Sequence, residues 1–279
     1  MDVAAAVTPT TVGEHLRHWR GRRRLSQLEL GLTAGVSPRH LSYVETGRAK
    51  ASAELLLALA EVLQMPLRER NALLLAGGYA PRYSQTPLDA PDLQAVREAL
   101  TRVLDAHDPY PGLAADRHWN LVLANQAARR LVGAMPPELL APAPNVVRLG
   151  LHPQGLAAFT SNFEVWGRHL VHQLEAQVHD GGDAVLAALL EEVRGYPNVR
   201  ALLARPAPVP QQPQLIVPCE LLLHGQRVSL FSTLARFGTA RDVTLAELTV
   251  ELFYPSDADS AAVLRAAAAA PSTTAPSPP

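Results

Sequence analysis

The sequence predicts two domains of different class, an all-α domain of five helices over residues 8–78 and an α+β domain over residues 92–265. Three observations carry this. Capped helical patterns recur up to Gly77-Gly78, a Gly- and Pro-rich linker follows over 79–91, and beyond it helices alternate with short β-type runs far apart in the chain. At 279 residues the chain is long enough for two domains of ordinary size.

The first helix carries Val12, Leu16 and Trp19 in one apolar stripe. Ser26 is placed to cap the second helix, and Glu29 completes a capping box three residues on. Leu28 and Leu32 then share a face expected to point inward. Gly35 ends this helix, because a residue without Cβ turns readily at positive φ. Ser37 caps the third helix, with Pro38 in the first-turn position where its missing N–H costs nothing. Leu41 and Val44 are expected in the core, leaving Arg39, Ser42 and Tyr43 together outside. Helices over Ser52 to Leu63 and Leu67 to Ala76 complete the domain. A capped helix pair about a glycine turn, framed by three more helices, is a helix-turn-helix, whose second helix enters a DNA major groove.

Charge agrees with that reading. Residues 1–82 carry eleven Arg and Lys against seven Asp and Glu, a net +4, whereas residues 83–279 carry −5. A basic front suits contact with phosphates, and an acidic back suits a domain that stays off them. The candidate DNA-contacting residues are Gln27, Ser37, Arg39, His40, Ser42, Tyr43, Arg48 and Lys50. Arg39, Ser42 and Tyr43 are placed to read bases; Gln27, Arg48 and Lys50 are placed for phosphates. Arg22, Arg23 and Arg24 are expected as a solvated face, and Glu45 is expected to pair internally with an arginine.

In the second half a helix is expected over 91–106. Tyr110 to Asp116 is apolar, Arg117-His118 has turn character, Trp119 to Ala124 reads as a strand, and Asn125 caps a helix over 126–132. That order resembles the opening of a PAS-type sensor domain. Helical stripes run over Leu156 to His179 and Asp183 to Arg194. Strands over 215–223 and 226–235 flank His224-Gly225, and a last strand falls in the second half of Thr244 to Tyr254. Residues 266–279 are expected as a disordered tail.

No enzyme or metal class gains support. Cys219 is the single cysteine, so a disulfide framework and a cysteine zinc site are excluded. His169 and His172 are spaced i, i+3 with no Glu between them in the manner of a zinc-hydrolase helix, and no cysteine backs them or His179 two turns on. Asp116 and His118 flank a turn with no nucleophile motif, and no phosphate loop or dinucleotide fingerprint occurs. No catalytic residue, metal or cofactor is therefore expected. Without a signal-peptide pattern or a long apolar segment, the expectation is a cytoplasmic protein with no membrane partner.

The stretches AGVSPRHLSYVETGRA, RERNALLLAGGYAPRY, YPGLAADRHWNLVLANQAARRL, LHPQGLAAFTSN, FSTLARFGT and VTLAELTVELFYPSDADSAAVLR follow one another in family order. Through them the chain resembles regulators of the xenobiotic-response-element (XRE) type that carry an MmyB-like ligand-binding domain. The resemblance implies a transcription regulator with a repressor-like DNA-binding domain and a PAS-like sensor of a small molecule. Two positions depart from it: Gly31 stands where alanine is usual, and Ala51 where proline is usual. The sensor pocket is expected to involve Trp119, Phe163, Trp166 and Phe231, with Arg148 facing any ligand carboxylate. The expected partners are a double-stranded DNA operator, a second copy of the chain, and a small apolar, fatty-acid-like molecule. Two alternatives stay open: a C-terminal domain that only dimerises, and a haem or flavin sensor of PAS type.

Overall fold

The computed structural model describes residues 11–181, 183–207, 216–223 and 225–269. The chain divides into two compact units, Met1–Asp92 with Phe237–Glu247, and Leu93–Arg236 with Leu248–Pro279.

The first unit holds α1 (Val12–Arg22), α2 (Gln27–Thr33), α3 (Pro38–Glu45), α4 (Ala53–Val62) and α5 (Leu67–Ala76), of which α2 and α3 start at their predicted caps. The Ser26 hydroxyl accepts from the Glu29 N–H, and the Glu29 carboxylate accepts from the Ser26 N–H. Ser37 and Ser52 cap α3 and α4, and Gly35 makes its turn at φ +69°. Leu16, Leu30, Leu41, Leu56, Leu59 and Leu63 are fully buried around Trp19. One expectation fails. Leu28 and Leu32 are 55% and 70% exposed, and it is Leu30 with Gly31 that faces the core. The reason is close approach: a Cβ on Gly31 would lie 2.7 Å from the Val36 carbonyl oxygen, so α2 seats its narrow side inward.

The second unit is α+β. Its helices are α6 (Gln94–Asp105), α7 (Gln126–Gly133), α8 (Pro137–Leu140), α9 (Val146–Leu151), α10 (Phe163–Gly181), α11 (Ala184–Arg194) and α12 (Pro197–Leu203). Strands β1 (Gly112–Ala115), β2 (Leu121–Ala124), β3 (Cys219–Leu223), β4 (Gln226–Ala235) and β5 (Thr249–Pro255) form one antiparallel sheet in the order β2-β1-β5-β4-β3. Asn125 is fully buried and satisfied on every side. Its oxygen accepts from the N–H groups of Gly112 and Ala128, and its amide donates to the carbonyls of Leu104 and Tyr110. One residue thus ties α6, β1 and the start of α7 together.

Three boundaries differ from expectation. Trp119 sits at φ 65°, outside the strand, so β2 begins at Leu121. Leu156–Phe159 is a separate 3-10 turn before α10. The last helix extends to Ala269, so residues 266–269 are helical, and the rest of the expected tail lies outside the described residues. The start of the expected first domain at 8–10, residue 215 and His224 also lie outside them.

The connection between β4 and β5 belongs to the first unit. It contains α13 (Val243–Glu247) and is followed after β5 by α14 (Ala258–Ala269). Asp242 accepts from the Thr86 N–H at 3.0 Å, Val243 donates to the Ser84 carbonyl at 2.8 Å, and Arg68 grips Glu247 through two bonds of 2.8 Å. Residues 79–91, expected as a linker, are also bound into this unit. The Tyr79 hydroxyl donates to the Ala51 carbonyl, and Asn71 holds the backbone at Arg82 and Tyr83.

Candidate recognition surface and ligand cavity

Helix α3 buries Leu41 and Val44 and turns Arg39 outward. Arg39 donates from Nε to the Tyr43 hydroxyl at 3.2 Å, with its guanidinium 5.5 Å from the ring centre. The i, i+4 spacing thus orients a planar donor group of the kind that pairs with guanine edges. Ser42 and Tyr43 are half-buried beside it, as is His40, whose N–H is capped by Ser37. Arg48 and Lys50 are exposed in the loop after α3, with the Lys50 ammonium 5.7 Å from the Tyr79 ring centre.

Glu45 is the hub behind this surface. At 2% exposure it accepts two bonds from Arg20 of α1, at 2.8 and 3.0 Å, and one from the Gln27 amide of α2 at 2.7 Å. The internal pairing expected of Glu45 is therefore with Arg20, and the same carboxylate fixes Gln27 at the head of α2. Gly13 lets α1 lie against this corner, since a Cβ there would stand 2.0 Å from the Glu45 carbonyl oxygen. Arg22 and Arg23 are not a plain solvated face. Arg22 stacks 4.4 Å over Trp19, and Arg23 donates to the Leu63 and Gln64 carbonyls at the end of α4.

In the second unit a cavity of about 380 Å³ lies between one face of the sheet and α7, α9 and α10. Strand alternation decides which residues reach it. Leu230, Ser232 and Leu234 of β4 line it, as do Glu251 and Phe253 of β5. Trp119 and Trp166 also line it. Trp119 is held there by its ring N–H, which donates to Gln177 at 2.7 Å.

Three expected ligand residues are placed elsewhere. Phe231 is out of phase with its neighbours on β4 and stacks on Tyr254, with ring centres 5.4 Å apart. Phe163 packs in the core against Gly167. Arg148 forms a bidentate pair with Glu192 at 2.7–3.0 Å, which lowers the Glu192 carboxyl below its ordinary range. Neither Arg nor Lys lines the cavity among the described residues, so the expected partner for a ligand carboxylate is missing.

The polar groups that do line it were missed: His169, Gln173, Ser232 and Glu251. Burial, then the neighbouring His172, lowers the His169 pKa. Burial pushes the Cys219 thiol up to about 12. Burial also raises the Glu251 carboxyl against the opposing bond from Ser232. In sequence Glu251 alternates with the apolar Val250 and Leu252, and Phe253, which shares its phase, is the signal that this phase also faces apolar surroundings.

A helix-turn-helix with an oriented arginine, joined in one chain to a domain with a ligand-sized cavity, is the architecture of a DNA-binding regulator with a ligand-binding domain. The family comparison is specific. Residues 96–267 match the MmyB-like transcription regulator ligand binding domain, and residues 11–73 match a helix-turn-helix domain. The chain belongs to the MmyB-like family, and it is a DNA-binding transcription regulator with a ligand-binding domain. Among solved structures it is similar to the PAS domain of BvgS from Bordetella pertussis, at 16% identity and a TM-score of 0.28, over 63% of this chain and 96% of that one. It is also similar to a variant of RsLOV, at 14% identity and a TM-score of 0.29, over 63% of this chain and 79% of that one. No curated protein matches. No described helix is long and apolar enough to cross a membrane.

Proposed function

We propose that this regulator binds a specific operator in the cytoplasm as a two-fold dimer, and that a small, largely apolar molecule in the sensor cavity changes its operator affinity. The observation that carries this is the 380 Å³ cavity, whose volume falls at the lower end of the roughly 300–1,000 Å³ typical of small-molecule sites. Its wall is mostly aliphatic and aromatic, which favours an apolar occupant. Arg39, Ser42 and Tyr43 read bases, while Gln27, Arg48 and Lys50, with the first turn of α3 at Ser37 and His40, hold the backbone. One recognition helix spans only a few base pairs, so specificity calls for two copies on a pseudo-palindrome.

The test has two parts. Footprinting on a selected operator is expected to show two half-sites with centres about 34 Å apart, or a multiple of that. A compound that raises the melting temperature in a screen of apolar molecules is expected to change operator affinity by about 5- to 150-fold. A monomer on one asymmetric half-site refutes the dimer. Operator affinity indifferent to every stabilising compound refutes the sensor reading.

A further inference from the structure

The sensor cavity has one carboxyl in its wall and no permanently charged cation. Glu251 is the single carboxyl among its described lining residues, and none of them is Lys or Arg. Its place is central. β5 is the middle strand of the sheet, and in register Glu251 lies between Leu113 of β1 and Leu234 of β4, both on the cavity wall. The Ser232 hydroxyl of β4 lines the same wall. A carboxylate has about four acceptor sites, and the wall brings no Lys or Arg to fill them. Burying such a group without a counter-charge is costly, and an apolar residue at this position would complete the wall at no such cost.

The rest of the wall suits a positive partner. Trp119, Trp166 and Phe253 line the same cavity, and aromatic faces attract cations. His169 does not supply the missing charge, because burial and His172 both disfavour its protonated form. A fatty-acid carboxylate offers no counter-charge, and two carboxyls at one site cannot both ionise cheaply.

We propose that the cavity takes a lipophilic cation, an alkyl or aryl amine whose ammonium group pairs with Glu251 while its apolar body fills the remaining volume. This rests on reading the cavity as the ligand site. The ammonium brings three donors to the carboxylate, and the pair neutralises a charge that neither partner could carry alone into an apolar space.

Calorimetric titration of the full chain with decylamine, decanol and decanoate tests it, because the three share a chain and differ only in the head group. Decylamine is expected to bind about tenfold or more tighter than either of the others, the gain of one charge-assisted bond. Glu251→Gln is expected to remove that preference while leaving decanol affinity within about twofold. Decanol or decanoate binding as tightly as decylamine overturns the inference and leaves the cavity a ligand site. An amine preference that survives in Glu251→Gln overturns it as well. If none of the three binds, the ligand-site reading falls with it. The wild-type comparison decides even if the variant does not fold.

Discussion

Replacing Gly31 with alanine measures how closely the two helices of the recognition motif are seated. In an open helix the change is favourable by about 1 kcal/mol, since glycine loses the most backbone freedom on folding. At Gly31 the helix is not open. The added Cβ would stand 2.7 Å from the Val36 carbonyl oxygen and 3.5 Å from the Pro38 nitrogen. A relaxed carbon–oxygen contact needs roughly 3.3 Å, so the turn would have to give by about 0.6 Å. The obstacle is backbone, held in a turn whose Val36 N–H donates to the Gly31 carbonyl at 2.8 Å, and it has no rotamer to escape into. Overpacking of this kind costs about 1–3 kcal/mol, so against the propensity gain the net expectation is a loss of about 1 kcal/mol, and at most about 2. For a unit of 60–100 residues each kcal/mol moves the melting temperature by about 4–8 °C. Thermal melts of full-length wild type and Gly31→Ala, followed by circular dichroism, supply the comparison. An unchanged or higher melting temperature would show that the turn has room, and that the glycine is there for some other reason.

Arg39→Ala is expected to cost about 1–3 kcal/mol on the operator and to relax preference at one base position, whereas Gln27→Ala weakens all sequences alike. Binding to specific and scrambled DNA separates them, and equal losses for Arg39→Ala on both would contradict base readout. Glu45→Ala takes three bonds from the corner of α1, α2 and α3 and leaves Arg20 without its carboxylate. Because Arg20 keeps 20% side-chain exposure and a bond to the Leu25 carbonyl, the expected loss is about 2–4 kcal/mol in urea unfolding; under about 1 kcal/mol would deny Glu45 its role as hub. For Glu251, burial raises the folded-state value, so the unliganded folded chain keeps a proton that the unfolded chain releases. That stabilisation is complete below the unfolded value and is lost as pH rises towards the folded one. Glu251→Gln should therefore flatten, relative to wild type, the decline in melting temperature that sets in as pH rises above the ordinary carboxyl value of 4.5. His169 titrates with the opposite sign but is common to both chains, and a parallel decline in both would contradict the assignment.

What the sequence made legible was what neighbouring residues decide among themselves. The capping box at Ser26 and Glu29, the Gly35 turn and the Asn125 cap each close over a few residues, and each holds in the structure. The two faces of α2 were harder. Leu28 and Leu32 formed the better apolar stripe, yet a glycine beside Leu30 allowed closer packing than any side chain could, and packing prevailed over pattern. The cavity wall posed a related difficulty. On β4 and β5 both phases carry apolar side chains, so alternation could not tell the cavity face from the face holding Phe231 and Tyr254.

The domain boundary was illegible for a different reason. Apolar periodicity assigns a segment to the core that its leucines seek, and it carries no information about a connection anchored by charge. Phe237–Glu247 joins the helix-turn-helix unit through Asp242 and Glu247, whose partners Thr86 and Arg68 stand far back in the sequence. The first unit is consequently discontinuous, and its inserted segment is bonded at each end to a strand of the cavity wall. Leu234 precedes Phe237 by three residues, and Glu251 follows Glu247 by four. A division into consecutive domains would have cut the chain between β4 and β5, which are neighbours in one sheet although the segment joining them belongs to the other unit.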